Sequence, residues 1–211
     1  MRELEELRRR FDGHAPGLMG ARHSYAVLCP LVERADGLHL LFEVRAAGLR
    51  QGGEVCFPGG RAEAGESPVA CALRETEEEL SIPAPEVTVL GTPDFICNQR
   101  GFLLHPVLGL VSQAGLEALR PSPAEVAEVF TVPLAFFRNT EPELYAYDLL
   151  PRGPEGFPYE ELGISPDYPW SRGRVEVPVW RYQGHVIWGM TGRTVRWLLT
   201  HLNRLEEQLG E

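Results

Sequence analysis

The segment RETEEE at residues 74–79 places four carboxylates within five positions of the chain. Helical spacing makes residues three and four apart neighbours, so Glu75, Glu78 and Glu79 form one acidic cluster while Glu77 points elsewhere. The opposite stripe recurs at helical intervals and is expected to face a core; it contains Val69, Leu73, Thr76 and Leu80. The pattern predicts a helix that is anchored on one side and presents three carboxylates on the other.

The predicted helix begins with residues that suit a helix N-terminus. Ser67 can cap it, and Pro68 fits the first turn, where a backbone N–H is not needed. Like charges at this spacing each destabilise a helix by roughly a few tenths of a kcal/mol, and within the helix only Arg74 can offset them. The cluster is therefore either a solvated acidic face or a site where a hard divalent cation, Mg²⁺ or Mn²⁺, relieves the repulsion.

Apolar runs typical of strands lie on both sides of this helix. Strands are predicted at residues 23–32, 38–44, 54–57, 87–90, 102–111 and 175–182, with a hairpin turn at 35–37. Helices are predicted at 3–12 and 191–209, a helical turn at 123–129, and a surface excursion at 139–171, which is rich in Pro, Gly, Asp and Glu. Strands interleaved with few helices predict an α/β fold, an α/β/α sandwich with a mixed sheet. The length of 211 residues favours one domain over 1–211.

Charge and cysteine usage exclude several classes of protein. A net charge of −10 argues against nucleic acid as the main partner. No apolar run approaches the roughly 18 residues that a membrane span needs, and the N-terminal sequence MRELEELRRRF lacks the apolar stretch of a secretory signal. The four cysteines are far apart without a CxxC pair, which favours buried free thiols over a metal or disulfide site. These features predict a cytoplasmic protein that acts on a small molecule.

The residues before and within the charged helix are spaced as in a known motif. Gly60, Glu66, the pair Arg74-Glu75, the pair Glu78-Glu79 and Ile82 resemble the Nudix box, Gly-x5-Glu-x7-Arg-Glu-U-x-Glu-Glu-x-Gly-U, where U is apolar. Two positions differ from the motif, because Thr76 replaces an apolar residue and Ser81 replaces the closing glycine. The box spans about residues 60–82, and the chain is identified from it as a member of the Nudix superfamily.

The resemblance implies a fold, an activity and a set of site residues. The Nudix fold is an α/β/α sandwich with a mixed sheet, and the family hydrolyses nucleoside diphosphates linked to a further group X. By the resemblance, Mg²⁺ or Mn²⁺ would be held by Glu75, Glu78 and Glu79, with the Gly60 carbonyl and Glu66. Arg74 would orient one of these glutamates through a charge-assisted hydrogen bond. The catalytic residues implied are thus Arg74, Glu75, Glu78 and Glu79.

Segments outside the box resemble one branch of the superfamily. Residues 40–60, LLFEVRAAGLRQGGEVCFPGG, are similar to the segment LLxxRxxxLRxxxGxVxFPGG of coenzyme A diphosphatases. Residues 101–109, 123–134 and 187–191 resemble further segments of that branch in the same order, with departures at Arg100 and Ser122. The branch implies hydrolysis of coenzyme A or acyl-coenzyme A to 3′,5′-ADP and 4′-phosphopantetheine products. The alternatives are another dinucleotide, such as ADP-ribose or NADH, and a non-catalytic Nudix-fold binding domain.

Several residues are candidates for contacting the substrate and for acting as the general base. A reader of the 3′-phosphate of coenzyme A needs cations outside the acidic cluster, and Arg45, Arg50 and Arg61 flank the loop. Each could instead form a surface ion pair. Phe57 and Phe102 are candidates for stacking on a base, or for the core. The general base could be Glu75 or Glu78, or one of four downstream carboxylates, Glu125, Glu128, Glu141 and Glu143.

Overall fold

A computed structural model of the chain describes residues 2–14, 17–21 and 23–209, with side chains described as far as residue 202. The strands are β1 (His23–Arg34), β2 (Gly37–Arg45), β3 (Val55–Cys56), β4 (Gly59–Arg61), β5 (Val87–Gly91), β6 (Ile96–Cys97), β7 (Phe102–Val111), β8 (Val126–Pro133), β9 (Glu143–Leu149), β10 (Gly173–Tyr182) and β11 (His185–Ile187). The helices are α1 (Arg2–Phe11), α2 (Pro68–Leu80), α3 (Gln113–Ala118), α4 (Leu134–Asn139) and α5 (Gly189–Leu209), with a 3₁₀ helix at Ala84–Glu86.

The main sheet has the strand order β3-β2-β1-β7-β5, with β4 paired to β1, β6 to β7 and β8 to β2. Strands β1 and β7 run parallel over ten residue pairs, and the other strand pairs of this sheet are antiparallel. A second sheet contains β11, β10 and β9. The mixed main sheet confirms the fold class predicted from the sequence.

The alternation of side chains along β2 separates two cores. Leu40 and Phe42 pack in a cluster with Trp180 and with Val195 of α5. Leu41 packs on the opposite face, in a cluster that includes Cys71, Ala72 and Leu80 of α2. Because successive strand residues point to opposite faces, odd-numbered positions of β2 face α2 and even-numbered positions face α5. The sheet thus lies between two helical layers.

Two predicted elements differ in the structure. Residues 123–129 were expected to form a helical turn, but only 123–125 turn, and β8 begins at Val126. The predicted surface excursion at 139–171 contains β9, which pairs with β10 over seven residues; residues 150–172 contain only turns and bends. Both strands satisfy their backbone groups against partners distant in sequence, which local patterns do not reveal.

The cysteines differ in burial, and the described helices are too short or too polar to span a membrane. All four cysteines are free; Cys29 and Cys71 are buried, Cys56 is half-buried, and Cys97 is exposed, so the prediction of burial is wrong for Cys97. Across the residues described, no helix is both long and apolar enough to cross a bilayer.

Candidate active site and metal centre

Helix α2 positions the acidic cluster, and its N-terminus is capped as the sequence predicts. The Ser67 hydroxyl accepts a hydrogen bond from the Ala70 N–H at 3.2 Å, and Pro68 occupies the first turn. Thr76, which replaces an apolar residue of the box, is fully buried, and its hydroxyl donates to the Ala72 carbonyl at 2.7 Å. Since this bond satisfies its polar group within the helix, Thr76 can pack in the core as an apolar residue does.

Ser81 takes over the role of the closing box glycine. Its backbone is left-handed, with φ 58° and ψ 25°, and its N–H donates to the Glu77 carbonyl at 2.9 Å. A side chain in this conformation costs about 1–2 kcal/mol relative to glycine. The Ser81 hydroxyl donates to the Arg120 carbonyl at 3.0 Å, which offsets part of this cost. The turn after α2 is therefore preserved despite the departure from the motif.

Two glycines let the preceding loop approach the helix closely. Strand β4 pairs with β1, and a Cβ on Gly59 would overlap the backbone of β1. A Cβ on Gly60 would overlap the carboxyl group of Glu75. The Gly59 N–H donates to Glu79 Oε2 at 2.7 Å. Glycine is required at position 59, where a side chain would meet the backbone of β1, whereas a side chain at position 60 would have to displace the Glu75 carboxyl group.

Arg74 connects three of the predicted site carboxylates. Its Nε lies 2.9 Å from Glu66 Oε1, and its Nη1 lies 2.8 Å from Glu75 Oε1 and 3.1 Å from Glu78 Oε2. Hydrogen bonds from Arg74 hold the pKa of Glu66 well below its usual range, so that carboxylate is ionised at neutral pH. The arrangement agrees with the orienting role that the resemblance implies for Arg74.

Glu79 is the buried glutamate of the box. It is 5% exposed, and burial raises its pKa to about 8, with the charge of Glu43 adding to the effect. Glu43 is fully buried on β2, and burial raises its pKa to about 7 although the Cys56 thiol donates to its Oε1 at 3.2 Å. Glu43 Oε2 is buried without a hydrogen-bond partner. Two buried carboxyl groups, one on α2 and one on β2, thus affect each other's charge, and one oxygen of Glu43 has no hydrogen-bond partner.

Sequence reasoning missed Glu43, although a signal was present. In the run LLFEVR, residues 40–45, the alternation that puts Leu41 in the α2-side core also puts Glu43 on that face. A charged residue at a core position of a strand is seldom found without a partner or a function. The interruption of the apolar pattern could have identified it.

The carboxylates of the box are suitable ligands for a hard divalent cation, but their side chains do not converge on one point. Among the residues that the structure describes, no three Asp, Glu, His or Cys side chains converge closely enough to hold a metal ion. Arg74 holds Glu66, Glu75 and Glu78, while Glu79 accepts from Gly59. The available donors are carboxylate and carbonyl oxygens, which Mg²⁺ and Mn²⁺ prefer. Glu43 Oε2 is buried without a hydrogen-bond partner, and burial together with the charge of Glu43 raises the pKa of Glu79, so a cation bound here would stabilise the ionised form of both carboxyl groups.

The three candidate arginines occupy different positions. Arg45 is the last residue of β2 and is half-buried. Burial raises the pKa of Glu43 and Glu79, which we call the acidic pair, and the positive charge of Arg45 lowers both pKa values. Arg50 and Arg61 are exposed, and neither forms an ion pair within the described part of the chain. Of the three arginines, Arg45 is the one whose charge lowers the pKa of both Glu43 and Glu79.

The two candidate phenylalanines also differ. Phe57 is 3% exposed and stacks on Phe42, with ring centroids 4.8 Å apart. Of the two alternatives, this burial assigns Phe57 to the core and argues against its role as a substrate contact. Phe102 is half-buried and meets Tyr25 edge-on at 5.2 Å, so part of its ring stays accessible.

The downstream carboxylates considered as a general base are separated by their partners. Glu128 lies 3.2 Å from His185 Nε2, and Glu143 lies 3.0 Å from Arg181 Nε. Glu125 is exposed in the turn before β8. Burial is the main reason why the pKa of Glu43 and of Glu75 is raised, and the negative charge of Glu125 makes a smaller contribution in the same direction. Glu125 is thus the downstream candidate that acts electrostatically on the acidic site.

Two surface cavities lie away from these residues. One of about 350 Å³ lies beside β8 and α3, and includes Leu41, Leu116 and Phe130. Another of about 710 Å³ lies between β10 and α5, and includes Arg193 and Trp197. Neither is lined by the glutamates of the box, so the site is identified by its chemistry rather than by a deep cavity.

The family of the chain is shown by its similarity to known proteins. A model described as NUDIX domain matches residues 22–149, from the residue before β1 to the end of β9. The chain belongs to the Nudix family. As a Nudix hydrolase, it is an enzyme that cleaves diphosphate linkages of small molecules, and members of the family generally use divalent metal ions.

Curated relatives cover most of the chain. The "Uncharacterized Nudix hydrolase NudL" of Photorhabdus laumondii is 36% identical over 180 residues, which are 84% of this chain and 83% of the relative. The "Mitochondrial coenzyme A diphosphatase NUDT8" of Homo sapiens is 32% identical over 190 residues, 87% of this chain and 71% of the relative. The "Peroxisomal coenzyme A diphosphatase NUDT7" of Mus musculus is 36% identical over 135 residues, 60% of this chain and 56% of the relative. These similarities support the coenzyme A diphosphatase branch of the Nudix family.

The raised pKa values predict how the stability of the metal-free Nudix hydrolase depends on pH. Since folding raises the pKa of Glu79 and Glu43, the folded state holds protons that the unfolded chain releases, and stability is lost as pH rises through those values. In EDTA, the melting temperature of the wild-type protein should therefore decrease as the pH is raised from about 5 to about 8, and it should decrease more than that of the Glu79→Gln variant. Excess Mg²⁺ or Mn²⁺ should raise it more at the higher pH, because the ligands must be deprotonated. A gap between the two proteins that is constant with pH would contradict the buried-carboxyl assignment.

Proposed function

We propose that this Nudix hydrolase cleaves the diphosphate linkage of coenzyme A or acyl-coenzyme A, giving 3′,5′-ADP and 4′-phosphopantetheine or its acyl form. The observation that carries the proposal is Arg45, placed beside the buried acidic pair by a segment, residues 40–60, that resembles the coenzyme A diphosphatase branch. The relative NUDT8, which aligns with 87% of the chain, is named a coenzyme A diphosphatase and supports the same substrate.

The proposed cofactor is Mg²⁺ or Mn²⁺, held by Glu75, Glu78 and Glu79 with the Gly60 carbonyl and Glu66. When bound, such a cation neutralises the diphosphate and lowers the pKa of water for attack on phosphorus. Arg74 orients the outer glutamates through its three ion pairs. The Gly59 N–H fixes the Glu79 carboxylate at the base of the site. These contacts hold the carboxylates of the box beside one another, and the carboxylates would still have to converge to coordinate the cation.

The arginines would contact two different phosphate groups of the substrate. Arg45 lies next to the pair and can contact the diphosphate, since a guanidinium suits phosphate geometry. Arg50 and Arg61 are exposed around the loop and can contact the 3′-phosphate. Glu125 is our candidate for the general base, because its charge acts on Glu75 and Glu43. We further infer a single Nudix domain over residues 1–211; a cytoplasmic location stays a prediction.

The proposal is tested by identifying products. Purified protein with Mg²⁺ or Mn²⁺ is incubated separately with coenzyme A, dephospho-coenzyme A, ADP-ribose and NADH, and the products are identified by mass spectrometry. We expect 3′,5′-ADP and 4′-phosphopantetheine from coenzyme A at a higher kcat/KM than any product from the other substrates. A preference for ADP-ribose or NADH would assign the enzyme to another Nudix substrate. Binding of the panel without hydrolysis would indicate a non-catalytic Nudix domain.

A further inference from the structure

Glu43 is a buried carboxylate that the Nudix box does not contain. It lies on β2, directly opposite Cys56 of β3, and is fully buried. The Cys56 thiol donates to Oε1 at 3.2 Å, but Oε2 has no hydrogen-bond partner. An unpartnered buried carboxylate oxygen costs several kcal/mol at most sites, so its presence requires a compensating group.

The free oxygen lies on the side of the sheet that carries the box. Leu41, two residues earlier on β2, belongs to the core cluster that includes Cys71, Ala72 and Leu80 of α2, and strand alternation puts Glu43 on the same face. Among charged groups, Glu43 has the largest effect on Glu79, whose carboxylate is held by the Gly59 N–H. The carboxylates of Glu43 and Glu79 therefore face one buried region beneath α2.

We propose that Glu43 is a further carboxylate of the metal centre, and that its free Oε2 contacts the divalent cation held by Glu79, either directly or through a water in its coordination shell. A divalent cation compensates two adjacent buried carboxylates, and oxygen donors are the ligands that Mg²⁺ and Mn²⁺ prefer. Cys56 orients the side chain by its hydrogen bond to Oε1 and leaves Oε2 for the cation. This inference rests on the metal-dependent activity proposed above and adds a ligand from outside the helix.

The test measures Mn²⁺ binding to the purified full chain without substrate, by electron paramagnetic resonance of free Mn²⁺. Glu43→Gln retains the shape and an acceptor for Cys56 but not the charged Oε2. It should weaken Mn²⁺ binding by about 10- to 100-fold or remove one equivalent. Its melting temperature in EDTA should rise, because a buried repulsive charge is gone. Unchanged Mn²⁺ affinity and stoichiometry in folded Glu43→Gln would overturn the proposal, and so would a fall in the metal-free melting temperature, which would indicate a structural role.

Matched variants separate a ligand from a general loss of negative charge. Glu128→Gln removes a carboxylate from β8, the neighbouring strand, where Glu128 is opposite Val44 on the face turned to α5. It should leave Mn²⁺ binding unchanged; an equal loss in Glu128→Gln would attribute the effect to charge alone and overturn the proposal. Glu43→Asp, used if the glutamine variant does not fold, retains the charge but withdraws it by one methylene, and should also weaken binding.

A further variant distinguishes this inference from the proposed function. Glu79→Gln should lose Mn²⁺ binding if the box holds the cation. Loss in Glu79→Gln with wild-type binding in Glu43→Gln would reject the role of Glu43 and leave the metal centre in place. Wild-type binding in both variants would reject the metal centre itself.

Discussion

Replacing Glu79 with glutamine should lower turnover by on the order of 10² or more while leaving the protein folded. Glutamine has the same shape, and its side-chain oxygen can still accept the Gly59 N–H that Glu79 Oε2 accepts at 2.7 Å. The loss is the negative charge that the cation requires. Since burial and the charge of Glu43 both disfavour ionisation of Glu79, removing that charge should also raise the melting temperature of the metal-free protein.

The measurement is kcat with saturating Mg²⁺ or Mn²⁺, together with melting curves in EDTA. Glu77→Gln is the matched control, because Glu77 belongs to the same helix but is exposed, and its carboxylate accepts from the Ala84 N–H at 3.3 Å beyond the helix end. The control should retain wild-type turnover. Near-native turnover of folded Glu79→Gln would remove Glu79 from the metal centre and would leave its burial without a functional explanation.

Local patterns were sufficient to predict the helix that carries the site. The cap at Ser67, the buried stripe with Thr76 and Leu80, and the separation of Glu77 from the cluster depend on spacing within α2 alone. The box residues lie on this helix or in the loop just before it, at positions 60–82, so their neighbourhood is encoded by short-range sequence. The contact of Arg74 with the glutamates was predicted by the resemblance to the Nudix box rather than by local pattern.

Features that depend on pairing between distant segments were missed. Strand β8 satisfies the edge of β2, where Phe42 is opposite Phe130, and β9 pairs with β10 across a loop of more than twenty residues. Residues 123–129 and 139–171 contain no local signal strong enough to predict these partners. Glu43 was missed for a related reason. Its charge acts on Glu79 of α2, which is 36 positions later in the chain, and a local pattern does not show that contact.

The two flanking arginines should differ in the substrate group that they recognise. Arg45 acts on the charge of the acidic pair, so it lies where the shared diphosphate would bind, whereas Arg50 is exposed in the turn that follows β2. Coenzyme A and dephospho-coenzyme A differ by one 3′-phosphate. Arg45→Ala should therefore lower kcat/KM for both substrates alike, and Arg50→Ala should lower it for coenzyme A alone.

A charge-assisted contact contributes about 1.5–3 kcal/mol, so each affected kcat/KM should fall by about tenfold to a hundredfold. Both substrates are measured in wild type, Arg45→Ala and Arg50→Ala, with Arg34→Ala as the control, since Arg34 is exposed at the far end of β1. A selective loss on coenzyme A in Arg45→Ala would move the 3′-phosphate contact to that residue. Equal losses on both substrates in Arg50→Ala would mean that Arg50 holds the loop or the diphosphate, and the 3′-phosphate would then be read elsewhere, with Arg61 the next candidate on the same rim.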